Sequence, residues 1–290
     1  MKKTFTFVIA FVMSALVFSS CQKEGQYMPK KKISEISTTT YYKDILGVTH
    51  STTSKQVWSW GEKLLNYIDY FDGNGNASTT VTFTYDDKSR LESFGSSFTK
   101  YDFIYQKNDL HQIRCYTNGE LTDEYTLVKD DNKVETIQRV SHGSKATAAL
   151  PINPFTFVLP GDAADMLVQP VATKGTIIYK LDWSDNHKNI EEIEIVEGDN
   201  KIELGYKYDE KTNPFKGFFN IGDQSFASIY SANNVVEQTT GYNNNTSIER
   251  VLYTYEYDGK FPTKKSWQTK GNVVIGDVTV DHTTTIKYLN

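Results

Sequence analysis

The chain contains little cysteine. Among its 290 residues only Cys21 and Cys115 carry thiols, and Cys21 directly follows an apolar leader, where it is expected to be modified. Because the mature chain then keeps one thiol, no intramolecular disulfide can stabilise it in an oxidising compartment, and Cys115 is expected to be unpaired. A hydrophobic core must therefore stabilise the fold, and residues 33–290 are long enough to form one large β domain or two smaller ones.

Recognisable catalytic and metal-binding motifs are also missing. No Gly-x-Ser-x-Gly elbow or phosphate-binding loop occurs, and the five dispersed histidines form no His-x-His or His-Glu-x-x-His pair. The stretch Asp72–Asn76 has the alternating oxygens of a calcium loop, but Ala77 and Phe83 replace the required Gly and Glu. We therefore expect no catalysis, no metal and no cofactor. A hydrolase with two carboxylates distant in sequence is the alternative.

A strong excess of positive charge is absent as well. The formal net charge is −5, and the basic residues are scattered along the chain. This composition excludes nucleic acid as an expected partner. The local run Lys30–Lys32 is expected to keep a surface tether solvated.

The amino terminus has the pattern of a cleaved export signal. Lys2 and Lys3 precede an apolar run over Phe5–Phe18, which is too short for a comfortable membrane span. The stretch Leu16–Cys21 resembles a bacterial lipobox, although Phe18 stands where Leu is usual. The resemblance implies a signal peptide over 1–20, a lipidated Cys21 and a flexible tether over 21–32.

The residues after Cys21 bear on the cellular location. Gln22–Gly25 resembles the short charged signal that directs Bacteroidetes lipoproteins to the cell surface. We therefore expect an outer-membrane lipoprotein that is attached through its lipid and lies either on the cell surface or on the periplasmic face. A plain secreted protein in which Cys21 is incidental is the alternative.

A short module recurs along the mature chain. In Val81–Tyr85 apolar side chains alternate with Thr, which predicts a strand, and Asp86–Ser89 then provides turn residues before the next strand opens at Leu91. Similar stretches are "YKYDEKTNPF" at 206–215 and "YTYEYDGKFPTK" at 253–264. The pattern predicts strand, tight turn and strand, repeated in series.

The returning strands carry a further signal. Leu91 and Phe94 are three residues apart, as are Leu110 and Ile113, so a regular strand would place each pair on opposite faces. A β-bulge at the start of each returning strand would restore a common face, and we predict one there. In the second half we predict further hairpins, among them a return strand over Phe215–Phe219, and strands at 273–280 and 283–289 that close the sheet.

These patterns predict an all-β fold in which serial antiparallel hairpins form one large curved sheet or barrel. The single domain spans 33–290, with halves at 33–140 and 176–290. A short helical or irregular crossover is expected near 141–175, where Ala163–Gln169 precedes Pro170. The crossover covers an open end of the sheet, or it forms a plug over a ligand cleft.

Two resemblances agree with this prediction. Tyr-Asp followed by a turn and an apolar strand resembles the YD repeat of RHS-type shells, although Ser89 replaces the Gly before Arg90 and the chain is far too short for such a shell. "YKYDEKTNPF" behind this leader is similar to Bacteroidetes lipoproteins with a domain of unknown function and a porin-like β fold. The resemblance implies a large antiparallel sheet and brings no catalytic residues. A membrane-embedded barrel is disfavoured, because polar rows such as Thr82 and Thr84 would face lipid.

Aromatic residues are abundant, with 19 Tyr and 16 Phe. Trp58 and Trp60 share a strand face and Trp183 precedes a turn, so these three are candidates for stacking on a sugar, although core packing is the simpler interpretation. We expect a non-catalytic, lipid-anchored envelope protein that binds a glycan or a partner outer-membrane protein, or acts as a scaffold. The alternatives are a carrier that encloses an apolar ligand and an envelope hydrolase.

Overall fold

A computed structural model provides the structure. It describes residues 25–43, 47–131, 133–142, 175–219, 226–242, 249–273 and 276–289. The signal peptide, Cys21 and most of the predicted crossover, including Ala163–Gln169, lie outside these ranges.

The described residues form an almost entirely β structure. The strands are β1 (Ile33–Lys43), β2 (Thr49–Trp60), β3 (Leu65–Phe71), β4 (Ala77–Tyr85), β5 (Leu91–Gly95), β6 (Thr99–Gln106), β7 (Asp109–Thr117), β8 (Glu120–Asp130), β9 (Lys133–Ser141), β10 (Gly175–Trp183), β11 (Ile190–Glu197), β12 (Asn200–Thr212), β13 (Asn233–Tyr242), β14 (Glu249–Leu252), β15 (Thr254–Asp258), β16 (Phe261–Val273) and β17 (Gly276–Tyr288). One short helix, α1 (Phe226–Tyr230), lies between β12 and β13. No helix among the described residues is long and apolar enough to cross a membrane.

The strands form one nearly closed antiparallel barrel. From β2 to β14 each strand pairs with the next, and β9 pairs with β10, so the two halves of the chain share one sheet. Strand β1 pairs with β2 on one side and with β17 on the other. The predicted all-β fold of serial hairpins is therefore confirmed. The predicted strands over 273–280 and 283–289 have the wrong bounds, because Val273 ends β16 and Gly276–Tyr288 forms the single strand β17.

Alternation of side chains separates an apolar interior from a polar exterior. Ile68, Val81 and Ile113 point inward and are at most 3% exposed, whereas their neighbours Thr80 and Thr82 point outward. Each fully buried Ile or Val side chain stabilises the fold by about 1.5–3 kcal/mol. The twofold repeat of the sequence thus sets which face of the wall is buried.

β-bulges recur at one end of the barrel, which we call the bulged end. The pairing register shifts where Tyr85 meets Leu91 and where Tyr105 meets Leu110, as the sequence predicted. The register shifts at the corresponding place in five more strand pairs. It also shifts where β17 pairs with β1. These pairs are Trp60 with Leu65, Lys129 with Val134, Trp183 with Ile190, Tyr208 with Val235, Tyr257 with Pro262, and Tyr288 with Ile33.

Among the described residues, seven strands carry near their end an aromatic residue that makes a further contact at the bulged end. The side chain of this residue donates a hydrogen bond to a backbone carbonyl near the start of an earlier strand, which is the strand directly before it in the chain except for β15, whose partner is β13. We call this bond a latch. The seven latches are Trp60 to Ile33 (2.6 Å), Tyr85 to Leu65 (2.8 Å), Tyr105 to Leu91 (2.9 Å), Trp183 to Val134 (2.9 Å), Tyr208 to Ile190, Tyr255 to Val235 (2.7 Å) and Tyr288 to Pro262 (2.8 Å).

The acidic residue after the aromatic one shapes the turn. The Asp86 carboxylate accepts hydrogen bonds from the backbone N–H groups of Lys88 and Arg90, at 3.0 and 2.8 Å. Ser89 adopts a positive φ of 60° in this turn. Tyr-Asp therefore combines a link to the previous hairpin with a cap for its own turn, which explains why the chain repeats it.

The predicted strand over Phe215–Phe219 is absent. Strand β12 ends at Thr212, and residues 213–219 and 226–232 instead enter the barrel as a segment that we call the plug. Pro214 has no N–H to donate to a ladder, and the Asn213 amide donates to the carbonyls of Ser228 and Ser231 at 2.7 and 2.9 Å. Because Phe218 and Phe219 are 9% and 3% exposed, they fill the interior at the bulged end.

The segment at 25–32, assigned from sequence to the flexible tether, packs against the barrel. The Gly25 carbonyl accepts a hydrogen bond from the Leu91 N–H at 2.8 Å, and the buried Tyr27 hydroxyl donates to the Pro214 carbonyl at 2.9 Å. Gly25 has a φ of 78°, and a β-carbon there would lie 1.9 Å from the Tyr105 hydroxyl. Only glycine fits this contact, so the docked segment begins at Gly25 or before it.

Candidate functional site

A cleft of about 850 Å³ opens at the bulged end. The plug forms its floor, and the amino-terminal segment and the turns that follow β6, β8, β10 and β15 form its sides. We call it the bulged-end cleft. Its volume lies within the range of about 300–1,000 Å³ that small-molecule sites occupy. Ligand-sized space is therefore present where the hairpin turns converge.

Three aromatic rings form one corner of the cleft. The Trp183 and Tyr230 rings meet edge to face at 6.1 Å, and Phe219 meets Tyr230 at 6.1 Å and 88°. The latch from Trp183 Nε1 to the Val134 carbonyl fixes the indole, and both Trp183 and Tyr230 are half-buried. The corner thus presents partly accessible ring surface in a rigid arrangement, which suits stacking on a flat apolar ligand face.

The charged side chains that line the cleft are mainly cationic. Lys30 comes from the amino-terminal segment, Lys133 from the start of β9 and Lys216 from the plug. Among the described residues of the lining, Asp109 is the only carboxylate. The Lys216 side chain is exposed to solvent. The surrounding residues nevertheless remove part of its hydration, and this desolvation lowers its pKa. His187 completes the titratable groups of the lining. Sequence analysis assigned Lys30 to a solvated tether and did not connect it with Lys133 and Lys216, because the three lie far apart in the chain.

Of the three predicted tryptophans, only Trp183 reaches this cleft. Trp58 is 4% exposed and packs against Phe218 at 4.8 Å and against Trp60 at 6.4 Å. Trp60 is half-buried and donates its latch to the Ile33 carbonyl. The Trp58 and Trp60 rings therefore pack beneath the plug, in line with the core alternative. The lipidation residue Cys21 lies outside the described residues.

A second group of polar residues lies within the barrel wall. Lys265 is 4% exposed, and its ammonium lies 3.9 Å from the centre of the Tyr253 ring and 5.0 Å from that of Trp267. Burial lowers the pKa of Lys265 well below its usual value. Within the described part of the chain no cluster of three His, Cys, Asp or Glu side chains could hold a metal ion.

His282 lies beside this lysine. Its ring stacks on Trp267 at 4.9 Å and 11°, and its two nitrogens contact the hydroxyls of Thr40 and Thr269 at 3.2 and 3.0 Å. Burial lowers the pKa of His282 to about 4, so the ring is neutral at neutral pH. A neutral histidine held by two hydroxyls fits a structural hydrogen-bond bridge across β1, β17 and β16.

The outer wall carries ladders of ion pairs. Lys201 bridges Glu194 and Glu203 at 2.6 Å each, and Glu237 binds both Lys207 and Arg250, at 3.1 and 2.6 Å. Elsewhere on the wall, hydroxyls are in contact between neighbouring strands, as for Thr39 with Thr53 and Thr84 with Ser93. An Arg or Lys side chain that faces lipid near the bilayer centre destabilises a membrane barrel by about 2–4 kcal/mol. This part of the wall is thus suited to water.

Comparison with known proteins identifies the fold. No protein-family model matches the chain, and neither does any curated protein. The structure is similar to that of a porin-like protein from Bacteroides uniformis, with a TM-score of 0.53 and 10% identity over 92% of this chain and 100% of that one. A porin-like protein from Bacteroides vulgatus matches with a TM-score of 0.47 and 10% identity, over 90% and 99% of the two chains. The expected porin-like fold is therefore confirmed. The similarity to the Bacteroides uniformis protein shows the fold and nothing further.

Proposed function

We propose that the protein is a lipid-anchored, non-catalytic binding protein of the outer envelope, and that it holds a saccharide in the bulged-end cleft. The observation that carries the proposal is the cleft itself, in which the latched Trp183 and the neighbouring Tyr230 present ring surface above a filled barrel. A pyranose has a flat apolar face that stacks on such rings, while its hydroxyls need the polar groups around them.

The charged outer wall and the plug support binding over conduction. The Lys180–Glu194–Lys201 ladder belongs in water, which favours a barrel held outside the acyl chains. Tyr27 and Phe218, whose ring centres are 4.9 Å apart, occupy the interior where a pore would have to continue. The similar structure from Bacteroides uniformis is described as porin-like, which supports a location in the envelope and nothing more specific.

The docked amino-terminal segment supports the lipid anchor. Cys21 lies only four positions before Gly25, whose carbonyl accepts a hydrogen bond from the Leu91 N–H. A chain of that length reaches at most about 14 Å. An acylated Cys21 would therefore hold the barrel close to the membrane by its bulged end.

A carrier of an apolar ligand is the second candidate. The cleft lining includes Met28, Val134 and Ile229 beside the aromatic corner, and together they could cover an acyl chain. The cationic side chains among them favour a polar ligand instead. The two candidates differ in the ligand that they predict for one and the same cleft.

Binding measurements with matched variants test the proposal. Trp183→Leu and Trp60→Leu each remove a half-buried indole and its latch, but only Trp183 lines the cleft. We expect similar losses of stability, with weakened saccharide binding in Trp183→Leu alone, measured by calorimetry against a panel of soluble polysaccharides. Equal binding by both variants would contradict the proposal, and binding of a fatty acid instead would establish the carrier.

The anchor has its own test. Cys21→Ala should release the protein from the membrane fraction or block its processing, since the lipid is the expected attachment. Undiminished membrane retention of the processed variant would refute this part of the proposal.

A further inference from the structure

We infer that the ligand of the bulged-end cleft is an anionic saccharide, whose carboxylate, sulfate or phosphate groups bind Lys30, Lys133 and Lys216. The inference rests on the proposed function, because it names the chemical class of ligand that the same cleft accepts. Three separate segments of the chain bring these lysines together around one space.

The charge of the lining differs from that of the chain as a whole. Three lysines and one aspartate give the cleft a surplus of two positive charges, while the whole chain carries −5. A concave site lined by charge of one sign concentrates ligands of the opposite sign. An acidic protein with a basic cleft therefore favours a negatively charged ligand at that place and repels it elsewhere.

The cleft lysines also lack the partners that lysines have on the outer wall. There Lys180, Lys264 and Lys287 lie 2.5, 2.8 and 2.7 Å from the carboxylates of Glu194, Glu256 and Glu35. In the described ranges of the chain, no carboxylate oxygen lies within 4.0 Å of Lys30, Lys133 or Lys216. Their ammonium groups are thus available to an incoming anion without breaking an ion pair.

The surroundings of Lys216 add a second observation. Its position on the plug desolvates the ammonium and lowers its pKa, which makes the charged form less stable than in open water. A bound anion would supply the missing stabilisation and raise that pKa again. The Lys216 side chain still reaches solvent, so a ligand can approach it.

Ring surface and cations lie on the same cleft wall. Lys133 and Trp183 both line the cleft, and the carbonyl of Val134, which follows Lys133 in the chain, accepts the Trp183 latch. An acidic sugar combines an apolar ring face with an anionic substituent at its edge. This pairing of groups matches such a ligand better than it matches a neutral sugar or an acyl chain.

The test compares polymers of different charge. Mature protein is titrated with polygalacturonate, dextran sulfate and neutral dextran at two salt concentrations. We expect binding to the anionic polymers that weakens as salt is added, because screening reduces attraction between exposed charges. The double variant Lys133→Gln and Lys216→Gln should lower the affinity by about tenfold or more, which corresponds to about 1.4 kcal/mol. The matched control, Lys180→Gln and Lys264→Gln on the outer wall, should leave it unchanged.

Each other outcome has a defined meaning. Equal affinity for neutral dextran, or equal losses in both double variants, overturns the anionic inference and leaves saccharide binding intact. Absence of binding to every polymer refutes the inference and the proposed function together. Binding to vesicles that contain phosphatidylglycerol, without binding to any soluble polymer, would assign the lysines to a lipid headgroup and overturn the saccharide.

Discussion

Replacing Tyr85 by Phe removes one latch and leaves the ring in place. The Tyr85 hydroxyl lies 2.8 Å from the Leu65 carbonyl, and Leu65 is 0% exposed, so no water can replace the lost donor without a local opening. A hydrogen bond of this kind contributes about 0.5–1.5 kcal/mol, and a buried acceptor left without its donor adds to the loss. We expect the free energy of unfolding to fall by about 1–2 kcal/mol.

Tyr67→Phe is the matched control. Tyr67 lies on the adjacent strand β3, points outward and is 38% exposed. Loss of a solvated hydroxyl should change the free energy of unfolding by less than about 0.5 kcal/mol. Urea unfolding followed by tryptophan fluorescence measures both variants under the same conditions. If Tyr85→Phe proves as harmless as Tyr67→Phe, the latches do not stabilise the barrel and the repeated tyrosine needs another explanation.

Three further predictions concern buried groups. Burial raises the pKa of Cys115 to about 11, so Ellman's reagent at pH 8 should label this thiol only after unfolding. Fast labelling of the native protein would disprove its burial. The pKa of His282 is about 4 in the fold and about 6.5 when unfolded, so unfolded chains take up the proton first and stability should fall between pH 6.5 and 4. His282→Gln should flatten that decline in urea titrations, and an unchanged slope would contradict it. Trp58→Ala should cost about 3–5 kcal/mol in thermal unfolding, and a loss as small as that of a surface change would place Trp58 outside the core.

Local sequence patterns predicted much of the barrel wall. Alternation in Val81–Tyr85 sets the strand and its buried face, because successive side chains must point to opposite sides. The three-residue spacing of Leu91 and Phe94 predicted a bulge, since only an extra residue returns both to the interior. Such signals lie within one hairpin and are complete in the sequence.

Features that join distant segments could not be predicted in this way. The acceptor of the Tyr85 latch is a backbone carbonyl on another hairpin, and a carbonyl has no sequence signature. Phe215–Phe219 has the spacing of a strand, and only the space inside the closed barrel turns it into a plug. The lysines of the cleft, Lys30, Lys133 and Lys216, converge only when the ring of strands is complete.

The pairing of β1 with β17 has a consequence for assembly. Each hairpin from β2 to β9 can form from residues that are close in the chain, but the contact between the hydroxyls of Thr38 and Thr284 spans 246 positions. Contacts of such long range slow folding, because the loop must close before they contribute. Until Gly276–Tyr288 joins, β1 and β16 each present an unpaired edge, which is a template for a strand from another molecule. A truncated or slowly completed chain should therefore exchange strands and oligomerise, whereas the closed ring offers no edge for exchange at this seam.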